Sequence, residues 1–132
     1  MPNGTESNQM KHWIHNYCMQ KRGVEEEFKE AWNAQLYKLG GKIFVMHGTF
    51  KDGRPLLTVK LEPAFSEILR AQYAGDIIPG YYTDKTHWSS LFLDSDVPEN
   101  VARAMLDNGY ETLMTSLTKK TQTAIRENRP AS

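Results

Sequence analysis

Apolar positions along the chain change period several times, and each change marks an element. Met10, Trp13, Ile14, Tyr17 and Cys18 recur in steps of three and four. That spacing predicts a first amphipathic helix, capped by Ser7 or Asn8 and stopped at Lys21-Arg22-Gly23. The run Val24-Glu25-Glu26-Glu27-Phe28-Lys29 reads as a solvated edge strand or turn, because adjacent carboxylates on a strand point to alternate faces and cannot all serve one ion. Hairpin logic then takes over. Gln35–Leu39 and Lys42–His47 are β-rich runs joined by Gly40-Gly41, a pair suited to a tight turn with positive φ at both central residues. Lys51-Asp52-Gly53-Arg54 signals a second turn, and Leu56–Leu61 a third strand. Glu62-Pro63 opens a second helix whose apolar stripe is Phe65, Ile68, Leu69 and Tyr73, ending near Gly75. Trp88–Leu93 is a further strand. A last helix begins at Val97-Pro98-Glu99 and carries Val101, Ala102, Met105, Leu106, Tyr110, Leu113, Met114 and Leu117, with a bend expected at Asn108-Gly109.

Strands joined by tight turns are antiparallel, and only the Leu61-to-Trp88 connection is long enough for a crossover. The predicted fold class is therefore α+β: an antiparallel sheet with helices packed on one face. At 132 residues the length fits a single domain. Residues 1–8 are expected to be a disordered tail and 9–118 the domain. Residues 119–132, where the apolar period is lost among Lys120, Arg126 and Arg129, are expected to be a frayed or helical basic tail.

Composition narrows the function. Sixteen Lys and Arg balance sixteen Asp and Glu, which argues against a strongly cationic nucleic-acid binder. The charge is nevertheless segregated. Lys38, Lys42, Lys51, Arg54 and Lys60 face only Asp52 in their segment, whereas Asp94, Asp96, Glu99, Asp107 and Glu111 face only Arg103 in theirs. Such a chain can present a basic face, or two solvated surfaces of opposite sign. No apolar run is long enough for a membrane span, and the polar start lacks a secretory signal, so a cytoplasmic location is expected. Cys18 has no second cysteine to pair with and no zinc-ligand spacing around it, and among Trp13, Ile14 and Tyr17 it reads as a buried structural thiol.

The densest chemistry lies in Pro79-Gly80-Tyr81-Tyr82-Thr83-Asp84-Lys85-Thr86-His87-Trp88, where aromatics crowd one Lys and one His after a turn signal. Two readings follow: an aromatic loop folded back as a lid on the core, or a recognition surface. No nucleophile elbow, Walker loop, HExxH or zinc-spaced Cys/His group is present, so no enzyme, no metal site and no cofactor are expected.

Taken in order, Gly40-Gly41-Lys42-Ile43-Phe44, Val59-Lys60-Leu61, Pro79-Gly80-Tyr81, Lys85, His87-Trp88 and Tyr110 resemble the MmcQ/YjbR family of small bacterial proteins, from about Met10 to Leu117. The chain departs from that family's pattern at Phe28-Lys29-Glu30-Ala31 and at Asn108-Gly109. The resemblance implies a CyaY-like (frataxin-like) fold and a DNA-binding label resting on double-wing-type hairpins. On that reading Lys38, Lys42, Lys51 and Arg54 contact phosphates of double-stranded DNA weakly, with Lys60, Lys85 and His87 on or beside the same face. The alternative is a non-enzymatic small-anion or phosphate site, or a protein-interaction surface, built from Lys60, Tyr82, Lys85, His87 and Trp88. The first helix carries no acid between Gln9 and Lys21, so no specific iron binding is expected.

Overall fold

The computed structural model describes residues 13–127. The expected N-terminal tail, the helix cap at Ser7 or Asn8 and Met10 lie outside the described residues, as does the end of the chain after Glu127. Within them run helix α1 (13–19), strand β1 (Glu25–Lys29), a 3-10 turn (Glu30–Trp32), strands β2 (Ala34–Leu39), β3 (Lys42–Thr49) and β4 (Pro55–Lys60), helix α2 (Pro63–Gln72), strands β5 (Ile77–Pro79) and β6 (Trp88–Phe92), and helices α3 (Glu99–Ser116) and α4 (Lys119–Glu127).

The six strands form one antiparallel sheet in the order β1-β2-β3-β4-β6-β5, the α+β architecture expected. The long connection after β4 carries α2 and places β5 on the outer edge. The chain then returns through the loop Gly80–His87, and β6 inserts between β4 and β5. At the β2–β3 turn Gly40 and Gly41 have φ of 59° and 81°, backbone that side chains with a Cβ rarely adopt.

Strand alternation gives the sheet two distinct faces. Tyr37, Val45, Leu57, Val59 and Leu91 point to the helical face, where they join Ile14, Cys18, Leu69, Met105, Leu106 and Leu113 in the buried core. Helix α3 runs without interruption through Asn108-Gly109, where the sequence led us to expect a bend. A Cβ on Gly109 would lie 2.7 Å from Val59 Cγ1 and 2.8 Å from the Lys60 carbonyl oxygen, so this glycine lets α3 approach β4 closely. Residues 119–127 form α4, whose Ile125 packs on the core and approaches Gly23 and Leu39. The segregated charge blocks meet across the fold: Arg54 is paired with Asp94 at 2.9 Å.

Candidate functional site

The second face of the sheet displays Met46, Gly48, Leu56, Thr58, Ser90 and Phe92. Among the described residues no α-helix lies over this face. It is covered by three chain segments: the 3-10 turn, the start of the β3–β4 turn at Phe50, and the Gly80–His87 loop. Between the segments lies a groove of about 380 Å³, with Met46, Gly48, Leu56 and Thr58 as floor and Trp32, Phe50, Lys51, Tyr81 and Tyr82 among its walls.

The walls are aromatic, and the rings of one of them touch in a row. Phe50 meets Phe92 edge-on with ring centroids 5.1 Å apart and Tyr81 at 4.8 Å, and Tyr81 meets Tyr82 at 4.4 Å. The two Phe50 separations fall in the range where ring pairs attract beyond simple burial. Arg54 closes the inner end of the row, with its guanidinium carbon 3.8 Å from the Phe92 centroid and two nitrogens on the Asp94 carboxylate. At the outer rim two large rings stand in solvent: Trp32 is 55% exposed and Tyr82 88%. Each wall carries a lysine. Lys29 lies over Trp32, 5.3 Å from its centroid, and Lys51 over Phe50 at 5.6 Å. The Tyr81 phenol is pushed above its ordinary pKa, first by desolvation and then by its hydrogen bond with Tyr82, so it is neutral at physiological pH.

The loop is held from below. Gly80 N–H donates to the Trp88 carbonyl at 2.9 Å, Trp88 N–H to the Asp84 carbonyl at 3.1 Å, and Tyr81 N–H to Ser90 Oγ at 3.0 Å. A Cβ on Gly80 would fall 2.5 Å from Trp88 Cβ, so the Pro79-Gly80 pair is needed for close approach at the loop neck.

Only some of the expected site residues come together. Lys60 and Trp88 are cross-strand neighbours on the groove face of β4 and β6. Lys85 and His87 are instead turned into their own loop: Lys85 Nζ donates to the Gly80 carbonyl, and His87 Nδ1 lies 2.6 Å from Asp84. The His87 contact, followed by the Thr86 N–H, holds the Asp84 carboxyl below its usual pKa. Lys38 is paired with Glu27 at 2.5 Å. Lys42 is exposed beside the Gly40-Gly41 turn, and Lys51 and Arg54 belong to the turn at the other end of β3. An eight-residue strand separates the two turns by roughly 25 Å, so the hairpin tips project from opposite ends of the sheet and not side by side. Tyr82 is the one member of the alternative set that lines the groove.

Trp32 and the adjacent pair Phe50 and Lys51 complete the groove from two separate turns with no shared spacing, and of the three Lys51 is among the expected site residues. The only individual signal of Trp32 and Phe50 is a large aromatic set in or beside a turn, where it is not needed for the core. Among the described residues no three His, Cys, Asp or Glu side chains are grouped as metal ligands would be. Burial pushes the Cys18 thiol up to about 12, far from a nucleophile's range. No described helix is long and apolar enough to cross a membrane.

Comparison with known proteins places this architecture. The YjbR family profile matches residues 19–112, from the end of α1 into α3. The chain belongs to the YjbR family. It is 32% identical over 95 residues to the protein named YjbR of Escherichia coli K12, covering 72% of this chain and 79% of that one. It is 30% identical over 91 residues to YbdF of Escherichia coli O157:H7, covering 69% and 73%. Among solved structures, Deinococcus radiodurans DR2400, a DUF419 protein, superposes with a TM-score of 0.77 at 22% identity over 90% of this chain and 89% of that one. A Pseudomonas syringae protein superposes with 0.62 at 15% identity over 76% and 96%. At these identities the two structures establish the shared fold. The YjbR match spans β1 to β6 and therefore every wall of the groove.

Proposed function

We propose that this YjbR-family protein is a non-enzymatic, cytoplasmic binding module that stacks the planar ring of a nucleotide in the aromatic groove. The observation that carries this reading is the rim, where Trp32 and Tyr82 hold their rings in water on either side of a groove, each wall with a lysine above an aromatic face. Exposed aromatics cost solvation without adding to the core, and stacking against a base is worth about 1–3 kcal/mol per ring. A cation beside the platform suits the phosphate that accompanies a base. A free nucleotide and the terminus of a single strand share this chemistry.

Duplex DNA held on the hairpins draws less support from the geometry. Lys38 and Arg54 are engaged by Glu27 and Asp94, and Lys42 and Lys51 stand at opposite ends of β3. The experiment is a fluorescence titration at low salt with a nucleoside monophosphate, a short single strand and a duplex, on wild type, Tyr82→Ala and Lys42→Glu. We expect the mononucleotide and single strand to bind and Tyr82→Ala to weaken both by roughly 5-fold or more. Duplex binding lost in Lys42→Glu but indifferent to Tyr82→Ala would transfer the function to the hairpins. Absence of binding by both mononucleotide and single strand would sink the groove reading.

A further inference from the structure

The groove floor contains a hydroxyl whose hydrogen is not accounted for. Ser90 is fully buried, and its Oγ lies 2.7 Å from Thr58 Oγ1, a pair in which either atom could be the donor. Ser90 Oγ already accepts from Tyr81 N–H at 3.0 Å. A buried hydroxyl left without an acceptor for its proton is costly, and the acceptor beside Ser90 is Thr58 Oγ1. The pair has one proton more than it can use internally, and because Ser90 has no exposed surface while Thr58 borders the groove, the arrangement with Ser90 donating leaves the Thr58 proton for the groove. Thr58 is 96% buried by the protein, being 4% exposed, and the little surface it retains belongs to the groove floor, flanked by Met46 and Leu56.

Resting on the groove reading above, we infer that Thr58 donates a hydrogen bond to an acceptor on the edge of the bound ring, so that the site selects heterocycles carrying a carbonyl oxygen or ring nitrogen over carbocycles of the same shape. The surroundings make the donor selective. On the β3 side of Thr58 the floor is Met46, Gly48 and Leu56, which offer a ring van der Waals contact but no competing side-chain hydrogen bond, and on the β6 side the Ser90 hydroxyl is fully buried and engaged with Thr58 and the Tyr81 N–H. A site built to hydrogen-bond a polar edge discriminates against analogues lacking it, because its own buried group is then left unpaired. Ser90 acts as a positioning residue. It orients Thr58 and, through Tyr81 N–H, ties the floor to the loop that carries Tyr82.

The test uses two probes of the same outline, naphthalene sulfonate and quinoline sulfonate, with the quinoline nitrogen scanned through its isomers. Both carry the anion suited to Lys51, and only the second carries a ring acceptor. They are titrated against the full chain as wild type, Thr58→Val and Thr58→Ser. Wild type should prefer the best quinoline isomer by roughly 3- to 10-fold, the range of one net hydrogen bond. Thr58→Val should lose that preference while keeping naphthalene affinity, which also reports that the variant is folded, and Thr58→Ser should retain it. Equal affinity for both probes in wild type, or a preference that survives Thr58→Val, overturns the role of Thr58 and leaves ring stacking intact. Failure of both probes to bind wild type overturns the stacking reading with it.

Discussion

Tyr82 holds φ at 58°, a left-handed backbone that a bulky side chain rarely adopts, and it does so while 88% exposed. The ring at the groove rim is therefore held in place at the expense of backbone strain of about 1 kcal/mol. In this loop backbone strain and the proposed stacking role pull in opposite directions. Tyr82→Gly removes both the strain and the ring, so the melting temperature should stay level or rise while mononucleotide affinity falls at least as far as in Tyr82→Ala. Thermal denaturation and titration of the same sample check the two halves. A lower melting temperature would show that the ring contributes more to the fold, through Tyr81, than its backbone costs. Lys85 and His87 teach the opposite lesson about single residues. Their types suggested an anion site, but type does not reveal direction, and both side chains are spent on loop partners, Gly80 and Asp84.

Elements were legible where local chemistry decides them. The β2–β3 hairpin follows from Gly40-Gly41, and α2 begins at Pro63 after Glu62, as the proline position requires. Strand β5 was not legible: Ile77-Ile78-Pro79 is too short to show a period, and it is a strand only because β6 pairs with it. The groove was illegible for a related reason, since Trp32, Phe50 and Tyr81 converge only when the two sheet faces have been told apart. Helix α3 shows how tertiary packing reverses a local rule. Gly109 reads as a bend, and alanine there would gain about 1 kcal/mol of helix propensity. Against that gain stands the overlap of a Cβ with Val59 and with the rigid Lys60 carbonyl at 2.8 Å. Overpacking of this kind costs typically 1–3 kcal/mol, so Gly109→Ala should be net destabilising by roughly 1 kcal/mol. Chemical denaturation is the measurement, and a stabilised variant would mean that α3 can move off β4 cheaply.

At the scale of the whole molecule, the sheet separates two tasks. Its helical face carries the core, and its other face is left to three short segments that form the groove, so groove residues can vary without disturbing the packing beneath the helices. The core does not end where the apolar period does. In sequence this segment reads as a frayed or helical basic tail, with Lys119, Lys120 and Arg126 among small residues; residues 119–127 are helical, and they are docked by a few well-placed contacts. Ile125 packs on the core, Gln122 is buried and donates from Nε2 to the Leu117 carbonyl at 2.8 Å, and Arg22 donates to the Arg126 carbonyl. Partial burial of one isoleucine and retention of these hydrogen bonds together represent about 2 kcal/mol. Truncation after Thr118 should therefore lower the melting temperature by roughly 5–10 °C for a domain of this size, with Ile125→Ala accounting for about half of the loss. Nucleotide affinity should be unchanged, because α4 contributes no residue to the groove. Differential scanning calorimetry of the two variants beside wild type decides the matter, and an unchanged melting temperature after truncation would return residues 119–127 to the status of a tail.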